Sequence, residues 1–186
     1  MESNILNKLD ALKNEYYQNN TKNTFFKNSQ KNDCASNITN KLDLQTLFQH
    51  TVYNINQTNH IYFDYTFFKN YMNDSILENI IQYAIELFAQ VIHKHGHIVF
   101  HVNMDTYSIT SHERFKHIYP MFFEACNNNN IIFNKHISSL FAYNSPKVLT
   151  TLSSFFSAFI GQQTIQNVRL FSKLESKPLL EKLIKY

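Results

Sequence analysis

Apolar residues follow a helical spacing in the middle of the chain. Ser75 and Glu78 form a capping box, and the apolar residues behind them recur every three or four positions up to Gly96. A glycine just after the last apolar position is typical of a helix end. Thr110 and Glu113 form a second capping box ahead of another apolar run. The pattern therefore predicts one helix after each capping box.

A third helical run follows Ser145 and Pro146 and extends to about Ile160. The serine hydroxyl can cap this helix, and proline suits the first turn because its fixed φ is already helical. Gly161 ends the run. Pro120 is expected to bend or divide the second helix, since a proline removes one backbone hydrogen bond.

Short extended runs lie between these helices. They cover residues 60–67, 97–104, 137–143 and 166–171. In the second run, Ile98, Phe100 and Val102 share one face, and His97 and His101 lie on the other. The alternation of strands and helices predicts an α/β fold with a mixed, largely parallel sheet flanked by helices.

The first part of the chain is more polar than the rest. Residues 1–17 can form a short amphipathic helix through leucines such as Leu9, whereas residues 18–41 have few aliphatic side chains and no period. We therefore predict a flexible N-terminal arm over 1–41 and one α/β domain over 42–186. Two roles of the helix in the arm stay open: it binds a partner protein, or it packs back on its own domain.

Composition restricts the function classes. The chain has 186 residues, a formal net charge of +3 and a pI of 8.7, which is too mildly basic to indicate a nucleic-acid partner. It contains only two glycines, Gly96 and Gly161, and glycine-rich phosphate loops are therefore excluded. The high content of Asn, Ile, Lys, Phe and Tyr is typical of an AT-rich genome.

The cysteines indicate a reducing compartment, and the hydropathy of the chain indicates neither a signal peptide nor a membrane-spanning helix. Cys34 and Cys126 are far apart in the sequence, and two cysteines in different surroundings do not predict a disulfide framework. The N-terminus lacks the apolar core of a signal peptide. No stretch approaches the roughly 18 apolar residues that a membrane-spanning helix needs. We expect a cytoplasmic protein without a transmembrane segment.

Several histidines lie close together in the sequence, which raises the question of a metal site. The first group is His93, His95, His97 and His101. Of these, His97 and His101 share a strand face but would lie ~13 Å apart along it, too far to bind one ion. His112, Glu113 and His117 resemble a zinc-protease helix, but the spacing has one residue too many and turns the two rings apart. We therefore expect no metal and no cofactor.

No constellation of residues predicts an enzyme. The carboxylates Asp64, Asp105 and Glu113 are scattered, whereas general acid and base chemistry needs them paired. Lysines and aromatic residues are mixed only around Phe25 and Phe26, at a density too low for nucleic-acid binding. We expect neither catalytic residues nor a nucleic-acid partner.

The third predicted helix carries a stripe of aromatic residues. Phe155, Phe156 and Phe159 lie on it, and Phe141 and Tyr143 lie on the strand before it. Together they either line a lipid-sized apolar pocket or fill an ordinary core. These five are the candidate ligand-binding residues.

A C-terminal segment, FAYNSPKVLTTLSSFFSAFIGQQTIQNVRLF, resembles the CRAL-TRIO (Sec14-like) lipid-binding domain in a divergent and truncated form. In that family a strand ends in an Asn-x-Pro turn and an amphipathic helix follows. Here Asn144, Ser145 and Pro146 match the turn. Upstream, HIVFHVNMDTYSI is similar to the family's central strand, which ends in an aspartate. The likeness covers residues 55–172.

The resemblance implies a non-enzymatic domain that binds a lipid or a phosphoinositide. A STAS-like domain, which acts through protein contacts, is the alternative fold with a similar sheet. The alternative function is a structural or scaffolding protein, in a viral setting that the composition suggests. Such a protein would use its arm, residues 1–41, or a sheet edge to bind partner proteins.

Overall fold

The computed structural model describes residues 2–22, 25–147 and 165–184. Within these residues the strands form one five-stranded sheet in the order β1-β2-β3-β4-β5. They are β1 (Val52–Asn54), β2 (His60–Asp64), β3 (Ile98–Asn103), β4 (Ile137–Tyr143) and β5 (Val168–Leu170). β1 runs antiparallel to β2, and the other neighbouring pairs are parallel. The predicted α/β fold with a mixed, largely parallel sheet is confirmed.

Helices precede the sheet, connect its strands and follow it. They are α1 (Glu2–Asn19), α2 (Lys27–Thr39), α3 (Leu44–Thr51), α4 (Tyr65–Tyr71), α5 (Leu77–His95), α6 (Ile109–Phe115), α7 (Ile118–Asn128), α8 (Phe133–His136) and α9 (Lys173–Ile184). A 3-10 turn, Asp74–Ile76, leads into α5. No helix in the described ranges is both long enough and apolar enough to cross a membrane.

The strand predictions agree closely with the structure, with one exception. The run 137–143 matches β4 residue for residue, and β3 and β5 lie inside their predicted runs. The run 60–67 is wrong at its end, because the chain turns into α4 after Asp64. The Asp64 carboxylate accepts the backbone N–H of Thr66 at 2.7 Å and of Phe67 at 3.1 Å, and this cap begins the helix.

The first predicted helix ends as expected but begins differently. Gly96 follows α5 with a φ of 76°, the left-handed conformation of a glycine that ends a helix. The capping box of Ser75 and Glu78 is wrong, because the Asn73 side chain accepts the backbone N–H of Ser75 at 3.0 Å. Asn73 has the extended backbone that a capping residue needs, whereas Ser75 lies inside the 3-10 turn.

The second predicted helix is divided into α6 and α7. Ser108, rather than Thr110, caps α6 and accepts the backbone N–H of Ser111 at 3.2 Å. Pro120 lies in the first turn of α7. Backbone N–H groups in a first turn have no partner within the helix, so the missing N–H of proline costs no hydrogen bond there. The third predicted helix, up to Ile160, lies mostly outside the described residues.

The flexible linker predicted for residues 18–41 is wrong over α2, which is a helix packed on the protein. The residues that α2 buries are Cys34, Ala35 and Ile38. α1 buries Leu9 completely, in one apolar cluster with residues of α3 and α4. So few positions of α2 face the protein that its sequence shows no clear period, and tertiary contacts set its conformation. The placement of a domain boundary at residue 42 stays a prediction.

The two faces of the sheet differ in chemistry. The apolar face carries Val52, Ile61, Phe63, Ile98, Phe100, Val102, Leu140, Ala142, Val168 and Leu170. The polar face carries Tyr53, His60, Tyr62, Asp64, Val99, His101, Asn103, Phe141, Tyr143 and Arg169. Phe88 of α5 packs on Phe100 of the apolar face and on Phe122 of α7. Helices α5 and α7 therefore cover the apolar face of the sheet.

Candidate functional site

A cavity of about 330 Å³ lies between the apolar face of the sheet and helices α5, α6 and α7. The sheet contributes Phe63, Phe100, Val102, Leu140 and Val168 to its wall, and the helices contribute Ile80, Ala84, Phe88, Phe115, Ile118 and Phe122. Its volume falls at the lower end of the ~300–1,000 Å³ range of small-molecule sites. The cavity is therefore the candidate ligand site.

Sequence periodicity explains why these side chains meet. Ile80, Ala84 and Phe88 recur every four residues and so lie on one face of α5. Phe100 and Val102 are two residues apart on β3 and point to the same side of the sheet. Ala84, between two larger residues of α5, lines the cavity with a short side chain.

The described wall of the cavity offers hydrocarbon contacts and no charged side chain. The polar side-chain groups among its lining residues are the hydroxyls of Tyr65, Tyr107 and Tyr119. The Tyr107 hydroxyl lies 2.8 Å from the Tyr119 hydroxyl and 3.0 Å from His112 Nδ1, so it is already hydrogen-bonded. Burial raises the pKa of Tyr107 to about 12, and the phenol is therefore neutral. This chemistry suits an apolar ligand.

The cavity reaches the protein surface beside β5. Ile165 and Leu170 line it, yet these residues are 37% and 45% exposed. β5 is an edge strand of the sheet. Within the described residues, the partly exposed part of the wall therefore includes this edge strand.

Of the five candidate residues from the sequence, the structure describes two, and neither of these lies at the cavity. Phe141 and Tyr143 lie on the polar face of β4, on the side of the sheet opposite to the cavity. Phe155, Phe156 and Phe159 lie outside the described residues. A role of these five aromatic residues in ligand binding stays a prediction.

Asn144, Ser145 and Pro146 follow β4 as a turn. Asn144 has a φ of 52°, a left-handed conformation that asparagine tolerates better than most residues. Its side-chain amide donates to Asn103 Oδ1 at 2.9 Å, and its backbone N–H donates to Ser176 Oγ at 2.6 Å. The turn therefore connects the end of β4 to the end of β3 and to α9.

The polar face carries a chain of hydrogen-bonded rings. His60 Nδ1 and His101 Nε2 lie 2.8 Å apart, and His101 Nδ1 lies 2.9 Å from the hydroxyl of Tyr143. His101 is only 3% exposed. Burial, together with the neighbouring His60, lowers the pKa of His101 to about 4. His101 is thus a neutral imidazole held on both ring nitrogens, which is what a buried polar side chain requires.

The other histidines are spread over different surroundings. His112 is buried beside Tyr107, whereas His117 is exposed and its Nε2 lies 3.2 Å from Asp74 Oδ1. His97 Nε2 lies 2.8 Å from the side-chain amide of Asn59. Within the described ranges, no three histidine, cysteine, aspartate or glutamate side chains are arranged to hold a metal ion.

The sequence pattern did not reveal the cavity itself. The alternation in β3 and the period of α5 identify two apolar surfaces that face each other. Neither pattern shows whether these surfaces touch or leave a gap. The clue available in the sequence was Ala84, a short side chain at a position where Ile80 and Phe88 indicate the inward face of the helix.

Comparisons with known proteins identify the fold. No protein-family model matches the chain, and no curated protein sequence matches it. The crystal structure of Sfh5, a Sec14-family protein, is similar with a TM-score of 0.50 at 13% sequence identity. The match covers 84% of this chain and 63% of the Sfh5 chain, so this chain spans less than two thirds of that protein's length. At this identity the likeness establishes a Sec14-like α/β fold.

Proposed function

We propose that this chain is a non-enzymatic lipid-binding protein whose cavity holds the hydrocarbon part of its ligand. The observation that carries the proposal is the cavity of about 330 Å³ between the sheet and helices α5 to α7, whose described wall has no charged side chain. The Sec14-like fold and the resemblance of the sequence to the CRAL-TRIO domain support the same ligand class.

An apolar cavity of this size destabilises a protein when it is empty. Protein interiors are close-packed, and residual cavities lower stability by about 24 cal/mol per Å³. Because this cavity reaches the surface beside β5, only its enclosed part carries such a cost. A hydrocarbon chain in the cavity removes this cost, because it restores contacts that water cannot make.

The cavity selects the tail of a lipid more strongly than its headgroup. Phe100, Val102 and Leu140 on the sheet and Ile80 and Phe88 on α5 line the cavity, and these side chains present only hydrocarbon to it. A lipid headgroup, such as that of a phosphoinositide, is charged or polar and would remain outside this wall. The ligand class proposed here is therefore a lipid with at least one apolar chain.

Filling the cavity tests this function. In the Val102→Phe variant the larger ring projects from β3 into the cavity, because Val102 lies on its wall. We expect the amount of lipid that copurifies with the protein, measured by organic extraction and mass spectrometry, to fall about tenfold from a stoichiometric level. Val99→Phe is the matched control, since Val99 lies on the same strand but on the polar face, and this variant should keep its lipid.

Other outcomes would count against lipid binding or against its assignment to this cavity. A wild-type protein that purifies without lipid, and takes up no fluorescent fatty acid from phosphatidylcholine vesicles, would contradict the proposal. Self-association of such an empty protein would favour the scaffolding alternative. Equal loss of lipid in the Val102→Phe and Val99→Phe variants would place the lipid somewhere other than this cavity.

A further inference from the structure

Two exposed phenylalanines lie where the chain passes from α1 to α2. Phe25 is 91% exposed and Phe26 is 70% exposed, although phenylalanine is among the residue types most often buried. Phe26 occupies the capping position of α2, yet its side chain makes no cap hydrogen bond. Serine and asparagine are the residue types that stabilise this position. Neither burial in the core nor helix capping therefore accounts for phenylalanine at these positions.

The connection between α1 and α2 is held at both ends. The Asn20 side-chain amide donates to the Tyr16 carbonyl at 2.8 Å, at the end of α1. The Gln30 side-chain amide donates to the Thr21 carbonyl at 2.9 Å, which ties the residues after α1 to the first turn of α2. Both helices contribute buried side chains to the same apolar cluster. The two phenylalanines are therefore presented on helices that pack on the protein.

Lysines accompany the aromatic pair. Lys22 follows Thr21, the residue that the Gln30 side chain holds, and Lys27 is the first residue of α2. Lys27 and Lys31 are four residues apart and so lie on the same face of the helix. All three lysines are exposed. An apolar pair is thus accompanied by three cations at the surface.

Acidic residues are absent from this stretch of the sequence. Residues 16–32 contain the three lysines and no aspartate or glutamate, so their charge is +3, which equals the formal net charge of the whole chain. The carboxylates that flank the stretch are Glu15, whose Oε1 lies 3.1 Å from Lys41 Nζ, and Asp33 of α2. Asp33 is two positions after Lys31, roughly 200° around the helix, and therefore projects from the other side.

Charges on the neighbouring helices cancel one another. Asn28 of α2 borders a polar pocket whose wall includes Asp74 and Glu113. Arg114 lies on the same wall, and Lys116 Nζ lies 2.7 Å from Glu113 Oε2. Two cations thus offset the two carboxylates. The positive charge between α1 and α2 is therefore not neutralised from this side.

We propose that a surface formed by Lys22, Phe25, Phe26, Lys27 and Lys31, here called the α1–α2 tip, docks on an anionic lipid bilayer. The two phenyl rings enter the membrane interface, and the lysines lie at the headgroups. This arrangement matches the layers of a bilayer surface, which is anionic outside and apolar beneath. Long lysine side chains keep their charge in water while their stems lie along apolar surface. The inference goes beyond the proposed function, because docking needs no ligand in the cavity.

Vesicle binding by the full chain tests the α1–α2 tip. The protein should cosediment with vesicles of phosphatidylcholine and phosphatidylserine about tenfold more strongly than with pure phosphatidylcholine, and sodium chloride should weaken this binding. Phe26→Ser should weaken it about tenfold, and Lys27→Gln about fivefold. Both side chains are exposed, and serine suits the capping position of Phe26, so neither variant should lose its fold.

Matched controls lie elsewhere on the chain. Ile132 is also an exposed apolar residue at the capping position of a helix, with no side-chain cap hydrogen bond, so Ile132→Ser is the control for Phe26→Ser. Lys8 is an exposed lysine of α1, roughly 16 Å along the helix from its end, and Lys8→Gln is the control for Lys27→Gln. Both control variants should bind vesicles as the wild type does.

A tryptophan reporter locates the contact with the bilayer. The chain contains no tryptophan, so Phe26→Trp introduces a single indole ring. Its fluorescence maximum should shift to the blue when phosphatidylserine vesicles are added, because the ring leaves water for the interface. The fluorescence of Ile132→Trp should not shift.

Several results would overturn the proposal. They are equal binding to both kinds of vesicle, equal weakening by Phe26→Ser and Ile132→Ser, equal weakening by Lys27→Gln and Lys8→Gln, and an unshifted spectrum of Phe26→Trp. Self-association that Phe26→Ser abolishes, without vesicle binding, would also overturn it, since the partner would then be a second copy of the chain.

The membrane surface and the cavity can be tested separately. Val102→Phe should lose its copurified lipid and keep its vesicle binding, because Val102 lines the cavity and is not part of the α1–α2 tip. Phe26→Ser should lose vesicle binding and keep its copurified lipid. Failure of one proposal is therefore distinguishable from failure of the other.

Discussion

Truncation of Leu9 to alanine should lower the free energy of unfolding by about 3 kcal/mol, the usual range for a leucine in a well-packed core. Leu9 lies on α1 and is 0% exposed. It belongs to the cluster that contains Ile38 of α2, Leu47 of α3 and Tyr71 of α4. The variant leaves a cavity among four helices, and urea unfolding followed by circular dichroism measures its effect.

Leu6→Ala provides the matched control on the same helix. Leu6 is 45% exposed, and its truncation should change the free energy of unfolding by less than about 0.5 kcal/mol. A difference between the two variants means that α1 is part of the folded domain. Equal, negligible effects would instead mean that α1 does not pack stably on the domain and is free to bind a partner protein.

Acidification should destabilise the protein through His101. The pKa of this buried ring is lowered from 6.5 to about 4, so the folded state disfavours the protonated form relative to the unfolded chain. The stability that depends on the neutral ring is therefore complete above the unfolded pKa and is lost as the pH falls towards the folded one. From about pH 7 to about pH 5 this loss amounts to about 2 kcal/mol.

Variants isolate this effect from the titration of carboxylates. His101→Gln removes the titrating ring, and its free energy of unfolding should fall by about 2 kcal/mol less than that of the wild type over the same pH interval. His93→Gln, at an exposed position near the end of α5, should keep the wild-type dependence on pH. Parallel pH profiles for the wild type and His101→Gln would show that protonation of His101 is not coupled to folding.

Local patterns predicted the sheet better than the helix starts. β4 was predicted to the residue, because 137–143 combines apolar side chains with strong strand formers. The predicted caps were wrong by two residues in each case, as Asn73 and Ser108 precede the residues chosen from the sequence. Several short polar residues stand together at each start, and the backbone conformation decides which of them becomes the cap.

The sequence predicted the faces on which some residues of the candidate site lie, but not the cavity that they line. The sequence pattern places Phe100 and Val102 on one face of a strand, and the apolar spacing that follows Ser75 includes Phe88. The sequence offered Phe141 and Tyr143 as further ligand contacts, but β4 places both on the polar face. A period of two shows which residues share a face and cannot show which face of the sheet meets the cavity.

The sequence by itself determined the order of the strands β2 to β5, the apolar stripe of α5 and the two unlike faces of β3. Each of these follows from the spacing of side chains along a few turns or one strand. Only the tertiary structure decided that α2 is a packed helix and that a gap remains above the sheet. These features depend on distances between segments far apart in the chain, and such distances are set by how the side-chain volumes of all layers fit together.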